Sequence, residues 1–291
     1  MRNYKGILLL LFFIYILYLF IEKPLMELDD PYNYDQFQKV QLDKHKQAIA
    51  SISNRGETLK GIILGGSNAV SGISARQLSN DSRGELFYNY SLSGSKNKIN
   101  IYLDSLREIS SLIDSEAIKV VVFSDIMFFL DKNSLERHKP RLKIFPSVPL
   151  LQYMRYKLIP PDPPFIRDIV YGDIDSEGSY SEVCKAPERF SMIPNNPENM
   201  KQRHLKIKNV IQEIFPNSRV YFMVPAITDD SSNEILKYLD QIKALYKESN
   251  LELILITPRS EEDIFCYSGY YLNQKGRTLI TNEIIDIIRT H

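Results

Sequence analysis

The sequence predicts an α/β protein, namely a three-layer α/β/α sandwich around a five-stranded parallel sheet, preceded by one N-terminal transmembrane helix. Five short apolar runs, rich in β-branched and aromatic residues, lack strict alternation, which is typical of strands covered on both faces. Segments with helical spacing lie between several of these runs, as in right-handed βαβ units. An uncharged apolar run at the start of the chain predicts the membrane helix.

The first residues predict a signal anchor rather than a cleaved signal peptide. Arg2 and Lys5 precede the apolar run at residues 6–21, which forms most of the predicted anchor at residues 6–22, and no A-x-A-like cleavage site follows it. Because cations precede the run and acidic residues follow it, the positive-inside rule places residues 1–5 in the cytoplasm. We therefore expect a single-pass protein of the inner or plasma membrane whose domain is periplasmic or extracellular. A buried core helix is the alternative.

The rest of the chain divides into a stalk and a domain. Residues 23–57 predict a polar stalk, in which only the stretch HKQAIASIS hints at a helix, and residues 58–291 predict the folded domain. Its strands are expected at GIILGG, LFYNYSL, IKVVVFSD, RVYFMVPA and LELILITP, and its helices at KNKINIYLDSLREISSLI, HLKIKNVIQEIF, NEILKYLDQIKALYKES and NQKGRTLITNEIIDIIRTH. In such a sheet, ligands bind beyond the carboxyl ends of the strands.

One connection is unusually long for a compact domain. It covers about residues 126–200 and is rich in proline and tyrosine. Connections of this length are usually functional or mobile. We expect a lid or a substrate-recognition insertion, with an ordinary structural insertion as the alternative.

Composition excludes several classes of function. Lys+Arg and Asp+Glu both number 36, so the chain has no global basic field and no nucleic-acid partner is expected. Cys184 and Cys266 lack the spacing of a zinc or thioredoxin-like site, while one disulfide and two unpaired thiols both remain open. No phosphate loop, dinucleotide motif or metal-ligand cluster is present in the sequence, so we expect neither a cofactor nor a metal.

The stretch KGIILGGSNAVSG places Ser67 directly after the first predicted strand, at the turn into a helix. Backbone N–H groups converge at such a turn, and the helix dipole is positive there. A serine hydroxyl in this position can attack an acyl carbon when a base takes its proton and N–H donors hold the oxyanion. A tight turn that only needs a small residue is the alternative.

Three stretches, in this order, resemble the SGNH (GDSL-like) hydrolase superfamily. They are ILGGSNAVSGI, FYNYSLSG and, near the C-terminus, YYLNQKGRTLIT. More narrowly, the chain is similar to the membrane-anchored bacterial branch associated with acyl transfer on cell-envelope polysaccharides. The resemblance covers most of the domain, from about residue 60 to the end, and implies a flavodoxin-like sheet and a serine nucleophile.

The resemblance implies one functional residue in each of the first three blocks. Ser67 matches the nucleophile, and its own N–H is one oxyanion donor. Gly94 in SLSG matches the glycine whose N–H is the second donor. In the third block the chain reads VFSD, so Ser124 replaces the asparagine that is the third donor, and only the following aspartate agrees. Asn68 and Asn97 are candidates to replace that asparagine.

The last block departs further from the family. The family's D-x-x-H motif reads SGYY here, with Ser268 in place of the aspartate and Tyr271 in place of the histidine base. A tyrosine, with a reference pKa of about 10, is a poor proton acceptor at neutral pH. His204, at the start of the helix before the fourth strand, is the candidate substitute base, and a solvated helix histidine is the alternative.

Two functions are compatible with these patterns. The first is a membrane-anchored, extracytoplasmic acyltransferase or esterase that uses Ser67 on a cell-surface polysaccharide. Its expected partners are the membrane, the glycan or an acyl donor, and membrane-bound polysaccharide-assembly proteins. The second is a catalytically degenerate SGNH-like domain that binds glycan or an assembly partner, which accounts for the departures at Ser124, Ser268 and Tyr271.

Overall fold

A computed structural model describes residues 34–81, 85–92, 99–132, 192–226, 233–256, 264–266 and 271–290. The helices in these ranges are α1 (Tyr34–Asn54), α2 (Ser67–Gly72), α3 (Ala75–Asp81), α4 (Ile99–Ser110), α5 (Ile126–Phe129), α6 (Pro197–Ile214), α7 (Asn233–Glu248) and α8 (Gln274–Thr290). The strands are β1 (Leu59–Gly65), β2 (Leu86–Asn89), β3 (Val120–Ser124), β4 (Leu130–Lys132), β5 (Met192–Pro194), β6 (Arg219–Val224), β7 (Glu252–Leu255), β8 (Phe265–Cys266) and β9 (Tyr271–Leu272).

The five predicted apolar runs form one parallel sheet, in the order β2-β1-β3-β6-β7. Counting only these five strands, this is the flavodoxin-like order 2-1-3-4-5. The chain passes from β1 to β2 on one side and then to β3 on the other, so the topological switch point lies between the carboxyl ends of β1 and β3. There, Gly65 pairs with Ser124. The predicted sheet is confirmed.

Helices cover both faces of the sheet, as a three-layer sandwich requires. Side chains alternate along each strand, so that Phe123 of β3 joins one apolar cluster and Val122 joins the other. The first cluster contains side chains of α1, α4, α6 and α7, and we call this side of the sheet the α1 face. The second contains side chains of α2, α3 and α8, and we call this side the α2 face.

The helix α1 corrects the predicted boundary between stalk and domain at residue 58. Ile49 and Ile52 of α1 are buried in the core of the α1 face, so this helix belongs to the folded unit. The buried side of α1 also contains Gln41 and His45. Because half of these positions are polar, apolar periodicity indicates only a weak helix here, and the packing of α1 is missed.

The predicted insertion also has different bounds. β4 and β5 form an antiparallel pair, with Leu130 opposite Pro194, so the two ends of the connection lie side by side. α6 begins at Pro197, where Asn196 accepts a hydrogen bond from Asn199 N as the N-cap. Residues 192–194 therefore belong to a strand, and residues 197–200 belong to a helix. Residues 133–191 lie outside the described residues.

Within the described ranges, none of the helices has both the length and the apolar character needed to cross a membrane. The apolar run predicted as an anchor, residues 6–22, lies outside those ranges.

Candidate active site

The turn that carries Ser67 is pressed against the end of β3. Gly65 has a φ of +156°, and a Cβ placed on it would lie 1.8 Å from the carbonyl oxygen of Ser124. The N–H of Gly66 donates to the same oxygen at 3.2 Å. This close approach requires glycine at position 65. Ser67 follows as the first residue of α2, half-buried, at the switch point of the sheet.

Asn68 joins this turn to the third block. Its Nδ2 donates to Ser124 Oγ at 3.1 Å and lies 3.4 Å from the Ser124 carbonyl oxygen, while its Oδ1 accepts from the N–H of Ile126 at 3.1 Å. The amide nitrogen of Asn68 thus bonds to β3, and its amide oxygen bonds to α5. Asn68 holds Ser124 rather than replacing it as an oxyanion donor.

The hydroxyl of Ser124 accepts a hydrogen bond, which leaves its own proton available as a donor. The residue is buried, and its Oγ accepts a hydrogen bond from Asn68. Accepting that bond leaves the hydroxyl proton of Ser124 for donation to a further group. The described contacts are therefore compatible with the donor role predicted for Ser124.

Asp125, which agrees with the family's third block, packs beneath the turn. It is buried, and a Cβ on Gly66 would lie 3.1 Å from its Oδ1. A side chain at position 66 would therefore contact this carboxylate. Asp125 places a carboxyl group directly beside the backbone that leads into Ser67.

Asn89 is a site residue that was not singled out from the sequence. It is buried at the end of β2, and its Nδ2 donates to the carbonyl oxygens of Ala69 at 3.0 Å and Ile73 at 3.1 Å. Its Oδ1 accepts from the N–H of Ser91 at 3.2 Å. Asn89 thus connects α2 to the segment after β2. The signal available in the sequence is a lone asparagine within the otherwise apolar and aromatic run LFYNY.

The segment after β2 continues along β1 toward the second block. The N–H of Tyr90 donates to Ile63 O at 2.8 Å, and the N–H of Leu92 donates to Gly65 O at 2.9 Å. The chain is thereby held beside the nucleophile turn up to residue 92. Gly94, the predicted second donor, lies outside the described residues, as does Asn97.

The last block packs on α2. A Cβ on Gly72 would lie 3.6 Å from Leu272 Cδ1, so β9 runs beside the helix that starts at Ser67. Tyr271 is the first residue of β9, and only its backbone is described. Ser268 lies outside the described residues. The structure therefore brings the backbone of the last block next to α2.

His204 lies on the α1 face and not beside Ser67. The ring is fully buried, stacks on Phe222 with centroids 4.2 Å apart, and is hydrogen-bonded to the hydroxyl of Tyr246. Desolvation, with a smaller effect of the neighbouring Arg203 charge, lowers the pKa of His204 to about 3. The sheet separates this imidazole from α2, so the structure does not bring the candidate substitute base to the nucleophile. Nor is it the solvated helix histidine of the alternative.

His45 is a second buried histidine, assigned to the stalk from the sequence. It lies on the α1 face, in contact with Tyr88, Tyr90 and the carbonyl oxygen of Ser91. His138 and His291 lie outside the described residues. Among the described part of the chain, no imidazole lies on the same face as Ser67.

Several solved structures are similar to this chain at low identity. No protein-family model and no curated protein matches the sequence. The periplasmic domain of a lipopolysaccharide acetyltransferase from Salmonella ser. Paratyphi A is similar at 11% identity and a TM-score of 0.46, covering 90% of this chain and 98% of that one. The lipase Lip_vut3 from a goat rumen metagenome has 12% identity and a TM-score of 0.42, covering 78% and 96%. A family two carbohydrate esterase from Clostridium thermocellum has 9% identity and a TM-score of 0.42, covering 80% and 65%.

Further structural neighbours carry the G-D-S-L or GDSL-like name.

Proposed function

We propose that this protein is a membrane-anchored, extracytoplasmic acyltransferase or esterase of SGNH type that acts on a cell-surface polysaccharide, with Ser67 as the nucleophile. The observation that carries the proposal is that the SGNH-like sequence blocks meet at one turn. The first three blocks follow the adjacent strands β1, β2 and β3, and the last block packs on α2. Ser67, a half-buried residue, lies at this junction.

The proposed reaction begins with attack of Ser67 Oγ on the acyl carbon of an ester. A base takes the hydroxyl proton, and the carbonyl oxygen becomes an oxyanion held by the N–H groups of Ser67 and Gly94 and by the Ser124 hydroxyl. The C–O bond to the alcohol then breaks, and the leaving alkoxide takes up a proton. Attack on the acyl-serine by a sugar hydroxyl gives acyl transfer, whereas attack by water gives hydrolysis.

The second candidate is a catalytically degenerate domain that binds glycan or an assembly partner. The observation that favours it is the last block, where Ser268 and Tyr271 replace the family's aspartate and histidine. Within the described residues, the two imidazoles that could compensate, His45 and His204, lie on the α1 face. In this case Ser67 is present because the tight turn needs a small residue, and it is not a nucleophile.

A covalent probe separates the two candidates. The full-length protein is incubated with a fluorophosphonate, which reacts with activated serines, and the adduct is located by peptide mass spectrometry. We expect the adduct on Ser67 and hydrolysis of an aryl acetate, both lost in Ser67→Ala. Ser71→Ala is the matched control, since Ser71 lies on the same helix and donates to the carbonyl oxygen of Ser67 at 3.1 Å.

Each outcome of this test has a definite meaning. Retained labelling and turnover in Ser71→Ala, with loss in Ser67→Ala, supports the enzyme. Robust turnover that survives Ser67→Ala overturns Ser67 as the nucleophile. A wild-type protein that neither labels nor turns over, but retains an acetylated polysaccharide in a pull-down, supports the degenerate binding domain.

The proposed location rests on the apolar run at residues 6–21 with Arg2 and Lys5 before it. We expect the full chain to remain in the membrane pellet after alkaline extraction. Removal of residues 1–33, which precede α1, should release the protein into the supernatant. Release of the full chain by alkali would contradict the anchor.

A further inference from the structure

His45 connects α1 to the segment that follows β2. Its Nδ1 lies 2.8 Å from the hydroxyl oxygen of Tyr88, and its Nε2 lies 3.2 Å from the carbonyl oxygen of Ser91. The imidazole has no exposed surface. The partners are 43 and 46 residues away in sequence. The packing of α1 on the domain therefore brings them together, rather than a local turn.

Burial determines the protonation state of His45. Desolvation, partly opposed by the bond to Ser91, lowers its pKa to about 4, so the ring is neutral at neutral pH. A neutral imidazole has one N–H donor and one acceptor nitrogen, and a carbonyl oxygen can only accept. Nε2 therefore carries the proton and donates to Ser91 O, while Nδ1 accepts from the hydroxyl of Tyr88.

This bond fixes one side of a single peptide plane. The carbonyl oxygen of Ser91 accepts from His45, and the N–H on the other side of the same plane, that of Leu92, donates to Gly65 O at 2.9 Å. Gly65 is the last residue of β1, before the nucleophile turn. A rotation of this plane would break the bonds at both of its ends.

We propose that His45 is a positioning residue, which fixes the orientation of the Ser91–Leu92 peptide plane through its bond to the Ser91 carbonyl oxygen. The catalytic consequence rests on the proposed function, in which the nucleophile Ser67 lies two residues after Gly65, whose carbonyl oxygen the same plane holds. Misplacement of a reacting group by about 1 Å can cost a factor of about 100 in rate. Through His45, α1 becomes part of the active-site framework.

Three substitutions distinguish the effect of losing one hydrogen bond of His45 from the effect of losing the other. In His45→Asn, the shorter side chain can reach the hydroxyl of Tyr88 but not Ser91 O. In His45→Gln, the amide nitrogen takes the position of Nε2 and keeps the bond to Ser91 O. Tyr88→Phe removes only the partner of Nδ1, and so it is the control at the same pocket.

Amide hydrogen exchange of Leu92 in the full-length protein measures how readily its hydrogen bond to Gly65 O opens, and so how firmly the plane is held, without any need for activity. Loss of one hydrogen bond should speed local exchange by about five- to tenfold in His45→Asn, whereas His45→Gln and Tyr88→Phe stay near the wild type. Equal exchange in His45→Asn and wild type overturns the proposal. So does a nitrogen NMR spectrum of the wild type in which Nδ1, and not Nε2, carries the proton, a measurement that does not depend on any variant folding.

Kinetics distinguish failure of this proposal from failure of the proposed function. With an aryl acetate, His45→Asn should lower kcat by about tenfold or more and leave KM unchanged, because misplacement of Ser67 slows the chemical step without removing a contact to the substrate. His45→Gln should restore kcat. Wild-type turnover with an unaltered kcat in His45→Asn overturns the proposal. A wild type without turnover overturns the proposed function, and the exchange of Leu92 then decides the role of His45.

Discussion

Acid should destabilise this protein through His204, a buried histidine on the α1 face. The imidazole is fully buried among Phe123, Phe129 and Phe222, and desolvation lowers its pKa from 6.5 to about 3. In the unfolded chain the same group titrates near 6.5. Between these values the unfolded state binds more protons than the folded state, so stability is present above the unfolded pKa and is lost as pH falls.

The size of this effect follows from the two pKa values. A pKa difference of one corresponds to about 1.4 kcal/mol, so on lowering the pH from about 7.5 to about 5 His204 alone removes about 2 kcal/mol from the free energy of unfolding. His45, whose pKa burial lowers to about 4, contributes a similar loss over the same window. Carboxyl groups add their own pH dependence, so a comparison between variants is needed.

The assay is urea unfolding at these two pH values, followed by far-ultraviolet circular dichroism because the chain contains no tryptophan. In His204→Phe, the fall in unfolding free energy should be about 2 kcal/mol smaller than in the wild type, whatever the stability of the variant at neutral pH. Tyr246→Phe removes the hydrogen-bond partner of His204 but keeps the titrating group, so its pH dependence should match the wild type. An identical fall in His204→Phe and wild type would refute this account.

Three further predictions concern stability and use urea midpoints at neutral pH. Gly65→Ala should lower the free energy of unfolding by more than about 3 kcal/mol, since its Cβ would overlap Ser124 O, while Gly56→Ala, with a φ of +72° and open space around it, should cost about 1 kcal/mol. A loss of the same size in both would contradict the close approach. Asn89→Asp should cost about 2 to 4 kcal/mol, because a carboxylate cannot donate to the two carbonyl oxygens that Asn89 holds, and a neutral result would show that these bonds contribute little. A chain that starts at residue 58 should lose cooperative unfolding, because two buried isoleucines of α1 leave the core, and an unchanged transition would restore the stalk assignment.

The sheet could be predicted from sequence because its strands are covered on both faces. A strand buried on two sides must be apolar at nearly every position, and runs such as IKVVVFSD carry that signal without any knowledge of the partner strands. The position of Ser67 follows from the same logic, since a residue directly after β1 lies at the carboxyl edge of the sheet. Both features depend on local composition alone.

The role of α1 could not be predicted, because its buried side depends on distant polar partners. His45 is buried together with Tyr88 and the Ser91 carbonyl oxygen, which satisfy both of its ring nitrogens. When these partners are unknown, the sequence predicts that a histidine in a polar segment is exposed to solvent. The pairing depends on tertiary structure, and no spacing rule in the sequence indicates it.

The third and fourth blocks depart from the family in different ways. At Ser124 the structure supplies a compensation, since the Asn68 amide donates to Ser124 Oγ and so polarises the hydroxyl that would hold the oxyanion. At Tyr271, no imidazole among the described residues compensates. An acyl-transfer site that lacks its base but keeps the oxyanion donors still retains about 10³- to 10⁴-fold catalysis over water. We therefore expect a fluorophosphonate to react slowly with Ser67, because the turn is intact but the usual base is missing.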